Sequence, residues 1–151
     1  TYDKLQTFVP VQDYQIDHYK NRFLKYINPG FIKCVTDEND ELVAFAITMP
    51  SFSNALKKIN GKVDLIGKLR LLHAKNFNHK GSLYLIGVRP DFQNKGVIAI
   101  LFNELQKFYN KFGITEVETN PELIENTAIQ QLWKNYENNQ HKNRATFTKE
   151  I

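Results

Sequence analysis

The stretch that decides the fold reads Gly87-Val-Arg-Pro-Asp-Phe-Gln-Asn-Lys-Gly-Val-Ile98. The apolar residues 83–88 predict a buried strand, Pro90 and Asp91 predict a turn, and helical periodicity begins directly after Gly96. A helix N-terminus presents unpaired N–H groups and a partial positive charge, and a glycine there lets the backbone approach a ligand closely. This order of elements predicts a phosphate-binding loop.

The composition is typical of a globular domain with a real core. The chain has 151 residues, of which 42% are hydrophobic and 24% charged. No apolar run approaches the roughly 20 residues that span a bilayer, and no signal-peptide pattern opens the chain. The single cysteine, Cys34, excludes an internal disulfide and favours a cytoplasmic location, where we expect it to be a small buried hydrophobic residue. Because the first residue is Thr1, we expect a fragment of a longer protein.

The net charge of +4 suits an anionic ligand and does not distinguish a small ligand from a nucleic acid. One segment is strongly basic, through Lys57, Lys58, Lys62, Lys68, Arg70, His73 and Lys75. It predicts either an anion-binding surface or the solvated face of a helix. No aromatic residues are interleaved with it, so we expect no nucleic-acid partner. The histidines lack metal-ligand spacing, and we expect no metal.

Apolar periodicity and turn residues predict the other elements. The expected helices span residues 13–27, 53–66, 97–112 and 128–136, and the expected strands span residues 31–36, 42–49, 83–88, 114–119 and 144–151. Ser53 is the expected cap of the second helix, which becomes two short helices if Gly61 and Gly67 interrupt it. Gly113 stands where a C-terminal cap belongs. The strand–helix–strand order around residues 97–112 predicts a right-handed crossover to a parallel neighbour.

These elements and motifs resemble the GNAT acyltransferase superfamily, whose members move an acyl group from coenzyme A to an amine. The superfamily pattern is a strand ending in Val-x-Pro, followed by Gln/Arg-x-x-Gly-x-Gly/Ala. The chain has Val88-Arg-Pro90 and then Gln93-Asn-Lys-Gly-Val-Ile98. A later Asn, Ala and Leu-Tyr pattern is matched more loosely, by Asn126, Ala128, Leu132 and Trp133. The resemblance covers residues 11–138 and extends to the C-terminal half of larger bacterial GNAT-like proteins.

The resemblance implies an α/β (α+β) fold with a central mixed β-sheet and helices on both faces. It implies one acyl-CoA-binding domain over residues 1–151, with acetyl-CoA as donor and a small-molecule or peptide amine as acceptor. The cofactor-binding residues that it implies are Ile86, Val88, Gln93, Asn94, Lys95, Gly96, Val97, Ile98 and Asn126. Capping of the last helix is the alternative role for Asn126.

Acyl transfer from a thioester to an amine needs a group that takes the amine proton and a group that protonates the leaving thiolate. Glu118 is the candidate base, because a carboxylate on a central strand has a raised pKa when it is buried. The alternative is that the strand frays there and that Glu116 and Glu118 are both solvated. Tyr136, one helical turn beyond Trp133, is the candidate acid; its alternative role is that of a core aromatic residue.

Three features depart from the superfamily pattern. Ile98 stands where the loop has a small residue, and Trp133 stands where many members have a proton-donating Tyr. The chain after Tyr136 is long enough for one strand where the superfamily usually has two. A non-catalytic GNAT-like module of a two-domain protein is therefore the alternative function. An N-terminal partner domain or a homodimer is the expected protein partner, and no membrane partner is expected.

Overall fold

The structure is a computed structural model that describes residues 10–22 and 27–149. Its helices are α1 (Asp13–Arg22), α2 (Ser53–Ile59), α3 (Leu65–Asn76), α4 (Val97–Phe112) and α5 (Thr127–Trp133). Its strands are β1 (Ile32–Thr36), β2 (Leu42–Pro50), β3 (Lys80–Val88) and β4 (Glu116–Thr119). Short 3-10 turns precede β1 at Pro29–Phe31 and follow β3 at Pro90–Phe92. The described residues up to Glu118 form one compact unit, and those from Thr119 onward form a second.

The four strands form one mixed sheet in the order β1-β2-β3-β4. The first three are antiparallel, with Cys34 opposite Phe45 and Phe45 opposite Gly87. Strand β4 joins the sheet after the α4 crossover. Its start lies beside the start of β3, where the Thr115 N–H donates to the His79 carbonyl at 2.8 Å. The mixed α/β architecture expected from the sequence is confirmed.

The core of the first unit lies between β2 and α4. Strand β2 buries small side chains, Ala44 and Ala46, which leave room for a helix to approach the sheet. Helix α4 buries Val97, Leu101 and Leu105, which recur every four residues along one side, as its periodicity predicted. This packing holds the N-terminus of α4 next to the end of β3.

Helix α4 ends as the sequence predicted. Gly113 has φ +68°, in the left-handed region that side chains disfavour, and its N–H donates back to the Asn110 carbonyl at 3.3 Å. The Ile114 N–H then donates to the Tyr109 carbonyl at 2.9 Å, and Ile114 is buried. The glycine therefore turns the chain back toward the sheet, where β4 begins.

The segment after β2 forms two helices, which is the alternative that the glycines indicated. Asn60 and Gly61 adopt left-handed φ values of +47° and +78° between them, and Asp64 caps α3 by accepting the Gly67 N–H at 2.7 Å. The expected cap at Ser53 is wrong, because Ser53 is the first helical residue and makes no capping bond. The expected apolar side is wrong as well: of its four residues Ile59 is buried, whereas Leu56, Val63 and Ile66 are exposed.

Several boundaries at the two ends of the chain differ from the prediction. Ile27 is not helical, and Phe23, expected on the inner side of α1, lies outside the described residues. Helix α5 ends at Trp133, three residues before Tyr136. Residues 144–149 form no strand, and the last two residues of that expected strand lie outside the description.

Two predictions about burial are also wrong. Cys34 is exposed, because it lies on the first strand of the described sheet and points away from α4. Strand β4, expected to be central, is the last strand in the described sheet order. A strand at the edge of a sheet has a neighbouring strand on one side only, so one row of its backbone N–H and C=O groups has no strand partner.

Leu101 and Ile100 are adjacent on α4 but differ in exposure, at 1% and 56%. Leu101→Ala is expected to lower the free energy of unfolding by about 2–5 kcal/mol, because it leaves a cavity at the sheet contact. Ile100→Ala is the matched control and is expected to cost less than about 1 kcal/mol. Urea unfolding monitored by circular dichroism measures both, and equal losses would contradict the described orientation of α4.

Candidate functional site

The loop between β3 and α4, residues 89–96, begins as an extension of the β2–β3 ladder. The Arg89 N–H donates to the Val43 carbonyl at 2.8 Å, and the Phe92 N–H then closes a tight turn onto the Arg89 carbonyl at 2.9 Å. Two left-handed residues follow, Asn94 at φ +61° and Gly96 at φ +76°. They reverse the chain so that α4 starts immediately after the loop.

This reversal leaves a run of backbone donors unsatisfied. Among the described residues, no acceptor of normal hydrogen-bond geometry faces the N–H groups of residues 94–98. The next two N–H groups, of Ala99 and Ile100, both donate to the Gly96 carbonyl. Five consecutive free donors and the positive end of a sixteen-residue helix together favour an anion at this position.

The space above Gly96 is open. A Cβ atom built on Gly96 meets no described atom within 4 Å, and no side chain caps the helix there. Glycine is required by the left-handed backbone, and its missing side chain leaves the free N–H groups accessible. The loop therefore has both the conformation and the access of a phosphate-binding turn.

Two side chains of the loop, those of Gln93 and Lys95, make contacts beside Gly96. Gln93 donates from Nε2 to the Val88 carbonyl at 3.5 Å, which connects the turn to the end of β3. Lys95 places its Nζ atom 5.1 Å from the centre of the Phe92 ring. A cation held over an aromatic ring stays near the helix N-terminus, where it adds positive charge to that of the free donors.

An apolar cluster supports the loop. Val97, the first residue of α4, packs with Val43 and Ala44 of β2, and all three are buried. Partly buried apolar side chains close the cluster around them, those of Val35, Val88 and Phe92. Val88 and Val97, both expected to bind the cofactor, therefore use their side chains for packing, and the N–H of Val97 is one of the free donors.

Arg89 connects the loop to the β1–β2 turn through ion pairs. Its guanidinium contacts Asp91 at 2.9 Å within the loop, and it contacts Asp37 and Glu41 of the turn at 3.2 Å each. The same guanidinium lies 4.5 Å from the centre of the Phe92 ring. Sequence analysis missed this role. The acidic composition of residues 37–41 was the available signal, and it does not specify which cation those carboxylates contact.

These contacts change the pKa values of the groups involved. Burial raises the pKa of Asp37, but accepted N–H bonds from Asn39 and Glu41 and the Arg89 guanidinium outweigh it, so the net pKa lies below its usual range. The pKa of Arg89 is raised further, first by its hydrogen bond to Asp91. Both groups are charged at neutral pH, and the ion pairs are fully formed there.

The two acidic residues of β4 differ in their surroundings. Glu116 is exposed and forms an ion pair with Lys80 at 2.5 Å, and the hydrogen bond from that lysine lowers the pKa of Glu116. Glu118 lies on the same face of the strand and is partly buried. Of the two alternatives left open by the sequence, solvation of both acids does not hold for Glu118, which is the better shielded of the two.

The second unit contains the remaining candidates. Asn126 stands at the position before α5, but its side chain makes no capping bond. Trp133 donates from Nε1 to both carboxylate oxygens of Glu122, at 2.9 and 3.0 Å. Tyr136 is exposed, so it is not a core residue, and its ring lies edge-on to Trp133 with 6.3 Å between the centroids.

Two further features were not apparent in the sequence. Strand β3 has an irregularity at Tyr84, because Ile47 pairs with Leu85 whereas Thr48 pairs with Leu83. A bulge of this kind turns backbone groups out of the ladder. The basic segment of residues 57–75 precedes the start of β3 in the chain, whereas the turn at Gly96 follows the end of that strand.

A family model described as the acetyltransferase (GNAT) family matches residues 2–136. The chain belongs to the GNAT acetyltransferase family. The match includes β1–β4, the turn at Gly96 and α5, so the superfamily resemblance found in the sequence is confirmed. No curated protein sequence matches the chain significantly.

Solved GNAT structures share the fold. Aminoglycoside antibiotic 6'-N-acetyltransferase AAC(6')-IG from Acinetobacter haemolyticus matches with a TM-score of 0.58 and 14% identity, over 95% of this chain and 85% of that chain. AAC(6')-Ih from Acinetobacter baumannii matches with a TM-score of 0.57 and 12% identity, over 95% and 84%. Aminoglycoside N-acetyltransferase AAC(6')-Iy in complex with CoA matches with a TM-score of 0.52 and 17% identity, over 80% and 75%. At these identities the similarity shows the fold.

Among residues 10–22 and 27–149, no group of three or more His, Cys, Asp or Glu side chains is arranged to hold a metal ion. Within the same ranges, no helix has the length and apolar character needed to cross a bilayer.

Asp37→Asn is expected to destabilise this GNAT domain at neutral pH and to have little effect in acid. The pKa of Asp37 is depressed in the folded chain, so its stabilising effect is complete above the unfolded pKa of about 3.9 and is lost as the pH falls through the lower folded value. Urea midpoints of the wild type and the variant at pH 6 and pH 2.5 test this.

Asp40→Asn is the matched control, because Asp40 is exposed in the same turn and forms no ion pair with a described residue. Its effect is expected to be small at both pH values. A loss for Asp37→Asn that is equally large at pH 2.5 would contradict the ion pair with Arg89 as the cause.

Proposed function

We propose that this GNAT-family chain is a coenzyme-A-dependent N-acyltransferase that binds acetyl-CoA at the β3–α4 turn and transfers the acetyl group to an amine. The observation that carries the proposal is the run of free backbone N–H groups at residues 94–98 around a left-handed glycine. A diphosphate matches such a run, because its oxygens accept several backbone hydrogen bonds at once. The CoA complex of the AAC(6')-Iy fold neighbour supports the choice of this cofactor.

The residues of the turn are suited to binding the diphosphate of acetyl-CoA. In the proposal the N–H groups of Asn94, Lys95, Gly96, Val97 and Ile98 donate to the diphosphate oxygens. Gly96 provides the open approach, and Lys95 adds a charge near the helix N-terminus. Gln93 keeps the turn against β3. The backbone groups of Ile86 and Val88 extend the contact along the strand.

Ile98 replaces the small residue of the superfamily pattern without removing a donor. The N–H of residue 98 is among the free ones, and the side chain is only partly buried at the first turn of α4. A larger side chain there narrows the site on its helix side. We therefore keep Ile98 in the proposed cofactor site as a backbone donor.

Bound acetyl-CoA supplies the activated acetyl thioester. The chain must then remove a proton from the ammonium group of the acceptor, so that its nitrogen has a free lone pair, and provide a proton for the departing sulfur. We assign the first task to the Glu118 carboxylate, because it is the more shielded of the two acids of β4.

We assign the second task to the Tyr136 hydroxyl, since the indole of Trp133 is not an acid and donates its N–H to Glu122. Asn126 is proposed as a further cofactor contact, because its side chain makes no capping bond within its own unit. The acceptor is an amine of a small molecule or a peptide, and its identity is the next question.

Gly96→Ala is expected to raise the dissociation constant of acetyl-CoA at least about tenfold, because a methyl group then occupies the approach to the free donors. Gly61→Ala is the matched control. Gly61 has nearly the same φ, +78° against +76°, and equally open space above it, but it lies between α2 and α3. Calorimetric titration of the wild type and both variants measures the difference.

Both variants are expected to lose similar stability, about 1–2 kcal/mol, from the alanine in a left-handed conformation. A wild-type chain that is folded and does not bind acetyl-CoA would overturn the proposed function. If both variants raised the dissociation constant of acetyl-CoA equally, the assignment of the cofactor to this turn would be wrong, but acetyl-CoA would still be the cofactor.

Glu118→Gln is expected to lower kcat by a factor of about 10²–10⁴, with acetyl-CoA affinity unchanged, because the amide cannot accept the amine proton. Glu116→Gln is the control on the same face of β4 and is expected to change kcat less than about threefold. The measurement is thiol release with the best acceptor from a panel of amines. Unchanged turnover in Glu118→Gln would contradict the role as base.

A non-catalytic GNAT-like module is the second candidate, and Trp133 favours it. The residue at the position of the superfamily Tyr is engaged in a structural hydrogen bond with Glu122. This alternative predicts no turnover with any amine of the panel, whether or not acetyl-CoA binds. Acetyl transfer by the isolated chain would exclude it.

A further inference from the structure

The connection between β2 and β3 is a helical hairpin where antiparallel neighbours usually need a short turn. Residues 51–79 form this connection and include α2 and α3. The two helices pack closely at Gly67 of α3. A Cβ atom built on Gly67 would lie 3.4 Å from the Ile59 side chain and 3.0 Å from the Lys62 carbonyl oxygen. Arg70 also donates to the Lys58 carbonyl at 3.0 Å.

Helix α3 turns its apolar side outward. Leu65, Leu69 and Leu72 follow the spacing i, i+4, i+7 along one side, and Ile66 lies beside them. These four side chains are between 56% and 75% exposed. The side that contacts the rest of the unit consists of the small or half-buried residues Gly67, Leu71 and Ala74.

Positive charge surrounds this apolar side. Six cationic side chains of the hairpin are exposed, namely those of Lys57, Lys58, Lys62, Lys68, Arg70 and Lys75. The single acid of residues 51–79, Asp64, is used as the cap of α3. Lys68 and Lys75 are seven residues apart and run along one flank of the leucines. Phe77 follows α3, is 74% exposed and stacks on His73.

We infer that the α2–α3 hairpin docks this protein on an anionic lipid bilayer. A helix with leucines on one side and lysines on its flanks inserts the apolar side at the level of the lipid headgroups, and the lysines contact the anionic lipids. Anionic charge and an apolar phase next to it are both needed to match this surface, and an anionic membrane provides them over the whole length of α3.

The composition of the hairpin favours lipid over other anionic partners. Protein interfaces are enriched in Tyr, Trp, Phe, Met and Arg and depleted in Lys, whereas residues 53–76 contain five lysines, one arginine and no Tyr, Trp, Phe or Met. A nucleic-acid backbone matches the cations, but it leaves the exposed leucines in water. Docking of this kind uses the surface of one side of the helix and requires no spanning segment.

The hairpin and the turn at Gly96 are separate segments of the chain. The hairpin precedes the start of β3, and the turn follows its end, with nine strand residues between them. The inference is independent of the proposed acyl transfer, because no residue of the hairpin belongs to the proposed cofactor site.

Vesicle co-sedimentation of the full chain tests the inference. Vesicles of phosphatidylcholine with 30% phosphatidylglycerol are expected to bind the protein, and pure phosphatidylcholine vesicles are expected to bind it at least about tenfold more weakly. Leu69→Asn/Leu72→Asn is expected to reduce the partition coefficient more than about tenfold, because two apolar contacts with the bilayer are lost. Lys68→Gln/Lys75→Gln is expected to weaken binding and to flatten its salt dependence.

Ile100→Asn on α4 and Lys107→Gln/Lys111→Gln on the same helix are the matched controls, since these side chains are exposed outside the hairpin. Circular dichroism confirms that each variant is folded. Failure of the wild type to bind anionic vesicles, or equal binding by the leucine variant, would overturn the inference. A change in oligomeric state caused by the leucine substitutions, without vesicle binding, would also overturn it and identify the surface as a contact between copies of the chain.

Discussion

The packing of Val97 against Val43 and Ala44 is the contact on which the candidate site depends. It holds the first turn of α4 on β2, and it therefore determines where the free N–H groups before that turn lie relative to the end of β3. Alanine in the middle of β2 matters for the same reason, because a larger side chain at Ala44 would lift the helix from the sheet. The residues on both sides of the turn at Gly96, Val88 and Val97, pack in the same apolar cluster.

Arg89 adds an electrostatic connection to this apolar one. Its guanidinium joins the loop before Gly96 to the β1–β2 turn through Asp37 and Glu41, and it lies over Phe92 of the same loop. The strand end, the neighbouring hairpin and the loop are thus held together by charges near the surface. Pairs with this degree of exposure contribute modestly to stability, so the main effect of Arg89 is on the position of the loop.

Local chemistry made the turn at Gly96 and the end of α4 predictable. A glycine is the residue that adopts a left-handed backbone without strain, and Gly96 and Gly113 each stand next to a clear helical pattern. The helix between them was predictable from its apolar spacing. The side of α4 that is buried was predictable from the same spacing, because its apolar residues lie along a single side of the helix and that side packs on the sheet.

Burial and strand position were harder to predict. The apolar residues of α2 and α3 indicated an inner side, yet α3 packs through Gly67. A glycine permits close approach because it is small, but it does not contribute to an apolar pattern in the sequence. The burial of Cys34 and the strand position of Glu118 were also predicted incorrectly. Whether a strand is central or peripheral depends on which strands pair with it, and pairing depends on contacts that are distant in sequence.

The amino-acid sequence was enough to predict the order of the elements up to α5, the turns at Gly96 and Gly113 and the resemblance to the GNAT family. The elements and turns were predictable because they depend on short-range backbone and side-chain preferences, and the resemblance followed from their order and from the motif residues. The tertiary structure alone decided that Arg89 reaches the β1–β2 turn, that Glu118 is shielded while Glu116 pairs with Lys80, and that the leucines of α3 face outward. Each of these depends on what lies opposite a side chain in space, and segments far apart in the chain supply those neighbours.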